Sequence, residues 1–553
     1  MGEKKSFLDI FGNVSRYLLG ININELVTII INPFEITLPN QPKPLFHYSS
    51  YITSVSGDLS EGVRNWLPYK RRKIRNELEN AVEYSLVIMF LRTSKNLKYL
   101  CLQAIICNQK LFENLYKNTI VASVELCNLG HGFKYKTIDE LVKFLNKSST
   151  LTSLILKSIH LGSQEVKTLL EALYKSTVLN SLKLCNNHID TEGMKMLAKF
   201  LCKNNTLTSL SLISNSFGFR IEGENALVDA LCKNTMLTSL DLHGNFLGSK
   251  EGKTLANALC KNSSLVYLNL GWNKLESEVG KALAGALCKN ATLKALNLEY
   301  NNFGPEGGKA IADALCKNIT LKYLSLYNNN LGSEGGKAFA DALCKNFTLT
   351  SLNLQFNNLR SEEGKALADA LCKNITLKHL NLYNNDLGSE GGKALADALC
   401  KNTTLKDLKL AYNNLGLEGG KALADALCKN TTLISLDLKE NKLRLEGGKA
   451  LADSLCRNTS LTSLNLSRDD FGPERGKALA DVLCKNTTLT YLNISHNNLG
   501  TEGIKAFADA YCKNTMISLN IGNNNLRSKG VKSIRPLQER QECHADLFKC
   551  SIQ

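Results

Sequence analysis

From Leu237 onward one apolar residue returns every 28 positions, through Leu265, Leu293, Leu321, Leu349, Leu377, Leu405, Leu433, Leu461 and Leu489. With small changes of spacing the same phase runs upstream through Leu207, Leu179, Leu151, Val121 and Leu97, and downstream to Met516. Self-similarity at this period constrains a chain more than composition does, because one unit cannot bury its apolar face alone and must stack on its neighbours. About sixteen units are expected, the outermost degraded as capping units tend to be.

Each unit has two halves. Leu377-Lys-His-Leu380-Asn-Leu382-Tyr-Asn-Asn385-Asp-Leu387 alternates about its leucines, the mark of a short strand with those leucines turned inward. Asn then fills one position: Asn187, Asn215, Asn245, Asn273, Asn301, Asn329, Asn357, Asn385, Asn413, Asn441, Asn497 and Asn524. Its amide donates and accepts, so stacked Asn residues can satisfy backbone groups where the chain leaves the strand. Asp469 replaces it once; Ile159, Leu129 and Ile105 replace it in early units, which should be less regular.

The second half, as at Gly332–Asn346, has helical spacing. Phe339, Ala342 and Leu343 make an i, i+3, i+4 stripe facing the strands. Ser333 is expected as N-cap, Glu334 at the positive end of the helix dipole and Lys345 at the negative end. Gly335 and Gly336 should let the first turn sit close to its neighbour, and Asn346 should stop the helix in a left-handed conformation. The expected fold is an α/β solenoid of horseshoe form, with parallel strands roughly 4.8 Å apart on the concave face and wider helices on the convex face.

The Leu-x-x-Leu-x-Leu-x-x-Asn-x-Leu strand and the Glu-Gly-Gly-Lys-Ala-Leu-Ala-Asp-Ala-Leu helix resemble the ribonuclease-inhibitor subtype of leucine-rich repeat, similar to the repeats of NOD-like receptors and of Ran GTPase-activating protein. The resemblance covers residues 97–527 and implies a leucine-rich-repeat solenoid that binds a protein on its concave face. The fold itself serves many partners.

Aromatic residues gather between the strand leucines of consecutive units: Tyr267, Trp272, Tyr300, Tyr323, Tyr327, Phe356, Tyr383 and Tyr412. Trp272, Tyr300, Phe356 and Tyr412 share a phase seven residues after the leading Leu; Tyr327 and Tyr383 take the adjacent phase where that position is Asn. Rings on neighbouring strands stabilise one another, and that alone would keep some of them. An exposed row of Trp and Tyr also supplies large, rigid contact area of the kind that anchors protein interfaces. These eight residues are the expected partner-binding site. Asp407, Lys409, Asp437, Lys439, Glu440 and Arg468 continue the face with mixed sign, which suits a polar rim and argues against a nucleic-acid backbone track.

The net charge of +16 favours acidic partners, but much of the Lys recurs in Gly-Lys-Ala and Cys-Lys-Asn as a solvated surface. Twelve of the 18 cysteines share one phase, from Cys202 to Cys512, and are expected to pack as small, reduced hydrophobes in a reducing compartment. Recurrent sequons such as Asn402-Thr403-Thr404 and Asn430-Thr431-Thr432 are read as helix-to-strand turns rather than glycan sites. No apolar signal core follows Met1–Phe11 and no stretch reaches the roughly 20 residues of a membrane span, so a cytoplasmic chain is expected, with a nuclear location left open by Lys70–Arg75.

Chemistry is sparse. Gly248–Thr254 lacks one residue of phosphate-loop spacing, and Cys543-His544 with Cys550 gives too few ligands for a closed zinc site. No nucleophile–base arrangement stands out, so no cofactor, metal or catalytic residue is assigned. An activator of a small GTPase is a third reading, set against by the mixed-charge tail, residues 528–553.

Residues 1–96 form a separate, mainly helical region with four prolines between Asn32 and Pro44 and a helix expected over Asn65–Leu91. Asn32-Pro33-Phe34, Pro42–Tyr48, Trp66-Leu67 and Met89–Leu91 look like the region after the F-box of fungal F-box/leucine-rich-repeat proteins; Ile10-Phe11 echoes the box itself, whose Leu-Pro opening is missing. That resemblance implies a Skp-type adaptor as partner and a substrate-recognition subunit of a ubiquitin ligase as the alternative function. The principal reading is a non-catalytic scaffold for a protein partner, in signalling or defence regulation.

Overall fold

The computed structural model describes residues 52–56, 58–66, 72–103, 106–127, 134–187, 189–215, 221–513 and 518–525. Ile10-Phe11, the prolines between Asn32 and Pro44, Leu129, Ile105 and the Cys543–Cys550 tail lie outside them. The chain divides into two compact units, Met1–Asn245 and Phe246–Gln553.

In the first unit parallel strands Ser54–Val55, Tyr99–Gln103, Ser123–Cys127, Ser153–Lys157, Ser181–Cys185, Ser209–Ser211 and Ser239–Asp241 pair in sequence order. The pair Ser54–Val55 precedes the first expected repeat, yet it reproduces the repeat's pattern. Lys98 and Tyr99 donate their N–H groups to the Thr53 carbonyl, just as Ala122 and Ser123 donate theirs to Lys98. Helices Asp58–Trp66 and Arg72–Thr93 follow it in place of the single helix expected over Asn65–Leu91. The first ends two residues before Pro68, whose ring disfavours helical geometry in the residue ahead of it. Ser60 Oγ donates to Glu83 Oε2 at 2.8 Å across these helices.

Among its described residues the second unit carries ten strands, Tyr267–Asn269, Ala295–Asn297, Tyr323–Ser325, Ser351–Asn353, His379–Asn381, Asp407–Lys409, Ser435–Asp437, Ser463–Asn465, Tyr491–Asn493 and Ser518–Asn520, all parallel and in register at 27- or 28-residue offsets. A helix follows each of the first nine, from Ser277–Leu287 to Gly500–Lys513. The core is the repeat itself: Leu377, Leu380, Leu382, Leu387, Leu395, Ala396, Ala398 and Leu399 are each no more than 1% exposed. At roughly 1.5–3 kcal/mol for each buried Leu, stacking supplies what one unit lacks.

The Asn ladder works as its chemistry suggests. Asn385 Oδ1 accepts from the N–H groups of Asn357 and Leu359 in the preceding unit, and its Nδ2 donates to the Leu354 and Leu382 carbonyls. A second row of side-chain acceptors lies four residues earlier, at the strand ends. Asn297, Asn353, Asn381, Asp437, Asn465 and Asn493 each accept from the N–H two residues on. These local bonds divert the chain after three strand residues. Where the same position holds Cys101, Glu125, Ile155 or Lys183 the strand runs to five. Ser325 and Lys409 follow the shorter register of their neighbours.

Three local expectations are corrected. Ser333 is not an N-cap: the helix begins at Gly332, where φ is +57°, and the Ser333 hydroxyl donates to Glu363 Oε1 of the next unit. Asn346 is extended, not left-handed (φ −90°, ψ 121°), because its side chain bonds outward to the Leu315 and Asn318 carbonyls and the Thr348 and Leu349 amides. The eleven described cysteines of the shared repeat phase do not pack as core hydrophobes. Cys202, Cys288, Cys372, Cys400, Cys456 and Cys484 are exposed and Cys232, Cys260, Cys316, Cys344 and Cys428 half-buried, because the core-facing stripe ends on the Leu before them. The sequon asparagines are buried instead, Asn402 and Asn430 at 5% exposure, their amides bonded to Leu371 and Leu399 carbonyls.

Candidate functional site

Six of the eight aromatic residues stand two or three residues beyond the ends of their strands, and their rings meet in one continuous ladder. The Trp272 and Tyr300 rings are stacked at 4.0 Å; Tyr300 meets Tyr327 edge-on at 4.5 Å; Tyr327–Phe356 and Phe356–Tyr383 follow at 5.5 Å each, and Tyr383–Tyr412 at 5.1 Å. The hydroxyls of Tyr300 and Tyr327 share a 2.5 Å hydrogen bond. Lys439 Nζ stands 5.3 Å over the Tyr412 ring, a cation–π contact that closes the row. Lys439 is therefore the ladder's end rather than a remote rim charge.

The backbone beneath the ladder is unusual. The position seven after the leading Leu is left-handed in unit after unit, and Asn186, Asn328, Asn384 and Asn523 occupy it at φ between 48° and 55°. Asn tolerates this region; bulky residues are rare there, at a cost of roughly 1–2 kcal/mol each. Trp272, Tyr300, Phe356 and Tyr412 nevertheless hold φ of 53°, 49°, 55° and 58°. Where Asn keeps the position, the ring moves one residue back, to Tyr327 and Tyr383. Two side-chain phases thus supply one row of rings. Aromatic pairs return about 0.5–1.5 kcal/mol each, the same order as the strain, so the ladder is close to neutral for stability.

Burial, then the bond to Tyr300, pushes the Tyr327 hydroxyl up to about 12. Burial also raises Tyr383, with Tyr412 adding to the effect. Both phenols are neutral donors at physiological pH. Trp272, the first ring of the row, is 50% exposed.

Tyr267 and Tyr323 lie elsewhere, at the first residue of their strands, on either side of Ala295 in register. They flank the ladder at the strand starts. Two strands on, His379 Nδ1 is 3.9 Å from Asp407 Oδ2 in the same row. Asp437 is raised by burial, against the N–H of Lys439 that its carboxylate accepts. One aromatic was missed: Phe246, 63% exposed, holds φ 54° between Asn245 and Leu247, with Lys274 Nζ 5.1 Å over its ring. Its phase differs from the ladder's; the signal lay in the exposed position where other units carry Asn330, Asn358 or Asn414.

Among the described residues no group of three or more His, Cys, Asp or Glu side chains is placed to hold a metal ion, and no helix is long and apolar enough to cross a membrane.

The model of the Leucine Rich repeat family matches ten segments: 175–198, 261–284, 289–312, 317–340, 345–368, 373–396, 401–424, 429–452, 485–508 and 512–534. Among solved structures, the complex of Rad7 and Elc1 in yeast aligns with 65% of this chain and 83% of that one, at 20% identity and a TM-score of 0.43. The leiomodin-1 actin-binding site 2 aligns with 28% of this chain and 89% of that one, at 23% identity and a TM-score of 0.25. No curated protein matches.

Proposed function

We propose that this leucine-rich-repeat solenoid is a non-catalytic scaffold that docks a protein partner on the open face of its sheet, through the ladder Trp272–Tyr300–Tyr327–Phe356–Tyr383–Tyr412. The observation that carries the reading is the strained backbone under the rings. Asn at the same positions would satisfy the local geometry at lower cost, and Asn is what Asn328 and Asn384 supply. Four large rings held in a disfavoured conformation, for no clear gain in stability, point to a use outside the fold. Rigid, half-exposed Trp and Tyr are the residue types that dominate interface energies. Tyr267 and Tyr323 extend the contact area along the strand starts, and Lys439, Asp437 and Asp407 give the far end its polarity.

The test is affinity capture with mass spectrometry, comparing the native chain with a Trp272→Asn, Tyr300→Asn, Phe356→Asn variant. Asn is the residue the fold already accepts here, so circular dichroism should show an unchanged fold. Loss of a dominant partner from the variant supports the ladder as the docking site. Capture of the same proteins by both forms would reduce it to a stacking ladder.

A further inference from the structure

The second unit carries another exposed row, on the turns that join each helix to the next strand. Two residues before the leading Leu the repeat usually holds a small polar residue: Ser263, Thr403, Thr431, Thr459 and Thr487. In three consecutive repeats it is large and apolar instead, and it faces solvent: Ile319 at 78% exposure, Phe347 at 54% and Ile375 at 69%. The flanking asparagines Asn318, Asn346 and Asn374 are buried and hold the turn backbone, so they fix the row rather than cover it.

A depression of about 400 Å³ opens beside the last two, lined by Phe347, Ile375, Thr350, Lys322, Lys378 and Lys406 among others, with no carboxylate in its wall. Lys317, Lys345 and Lys373, all exposed, bound the row on its other side. At this turn position these three repeats replace a small residue with apolar surface between two lines of lysine.

We propose that this turn edge binds an acidic peptide segment of a partner protein, with apolar side chains seated on Ile319, Phe347 and Ile375 and carboxylates paired to Lys322, Lys378 and Lys406. Charge complementarity selects the occupant: three lysines and no acid in the wall favour a polyanionic ligand, and the apolar floor favours one that carries hydrophobic side chains. A depression, rather than a protruding wedge, suits a peptide better than a lipid surface. The site is separate from the ladder, which lies just past the far ends of the strands.

The experiment uses the full chain and fluorescence anisotropy. The ligand is a labelled twelve-residue peptide mixture in which Asp or Glu alternates with Leu, Ile or Phe. Its controls are the same mixture with Lys for the acids, an acid-only peptide, and vesicles containing phosphatidylserine. The acidic–apolar mixture should bind at least ten-fold tighter than either control peptide. An Ile319→Thr, Phe347→Thr, Ile375→Thr variant, which restores the neighbours' residue, should weaken it ten-fold or more, as should Lys322→Gln, Lys378→Gln, Lys406→Gln. The Trp272→Asn, Tyr300→Asn, Phe356→Asn variant should bind it like the native chain. Equal binding of acidic and basic mixtures, unchanged affinity in the Thr variant, loss confined to the ladder variant, or a preference for the vesicles would each overturn the proposal.

Discussion

The indole of Trp272 lies stacked on the phenol of Tyr300, ring centroids 4.0 Å apart, and both residues hold the left-handed backbone that their repeat position imposes. Stacking and strain oppose each other at the same two residues. That balance makes the ladder removable without unfolding the sheet.

Trp272→Asn should therefore change stability in urea by no more than about 1 kcal/mol, since relief of roughly 1–2 kcal/mol of strain offsets a lost ring pair. Trp272→Val also loses the stack but keeps a branched side chain at positive φ, and should be the less stable of the two by about 1 kcal/mol or more. A Val variant as stable as the Asn variant would show that the strain is absent.

Asp469 is the one carboxyl in the Asn ladder. Its Oδ1 accepts from the Asn441 N–H at 2.8 Å, but its buried Oδ2 has no partner where Asn441 and Asn497 turn an amide toward carbonyls. Burial pushes its pKa up to about 8, against the backbone N–H groups that favour the anion. A raised folded-state pKa means that the folded chain holds a proton the unfolded chain releases above about pH 4. This site's stability is thus full below about pH 4 and declines to pH 8, at up to about 1.4 kcal/mol per pH unit. Asp469→Asn should raise the melting temperature at pH 7.5 and flatten its decline between pH 5 and 8 relative to the native chain. A native chain and variant with parallel pH profiles would contradict this.

The helix glycines divide sharply by surroundings. A Cβ on Gly308 would meet Leu331 Cδ2 at 2.5 Å, whereas a Cβ on Gly285 would meet nothing within 4 Å. Gly308→Ala should destabilise by about 1–3 kcal/mol through overpacking, and Gly285→Ala should stabilise by about 0.5–1 kcal/mol through helix propensity. Chemical denaturation of the two variants gives opposite signs if the helices pack as closely as described.

Much of this architecture is legible in the sequence because a repeat prints each packing rule many times. The inward leucines, the Asn385-type ladder and the close approach at Gly336 all follow from one unit. The rest depends on backbone angles that residue types do not announce. Nothing in Trp272 or Tyr412 signals a positive φ; the clue was Asn328 and Asn384 at the same phase. Cys372 looked like core because it follows Leu371, but a helix turns 100° per residue, and that step carries it out of the stripe. Ser333 has N-cap chemistry, yet Gly332 entered the helix ahead of it. The six ladder rings were foreseen as a row. Their split into two phases was visible in the sequence, while their continuity and the closing contact of Lys439 needed the fold. Ser54–Val55 was hidden because two residues carry no period.

Trp272 gives the most direct test of the central claim. The chain has only two Trp residues, so Trp66→Phe leaves Trp272 as the sole indole. Acrylamide quenching of that indole would be measured with and without the partner recovered by capture. A blue-shifted emission and quenching reduced several-fold on saturation, with affinity lowered about 30-fold or more by Tyr300→Asn with Phe356→Asn, is the result expected of an interface anchor. Saturating binding that leaves Trp272 emission and quenching unchanged would place the partner elsewhere and contradict the account.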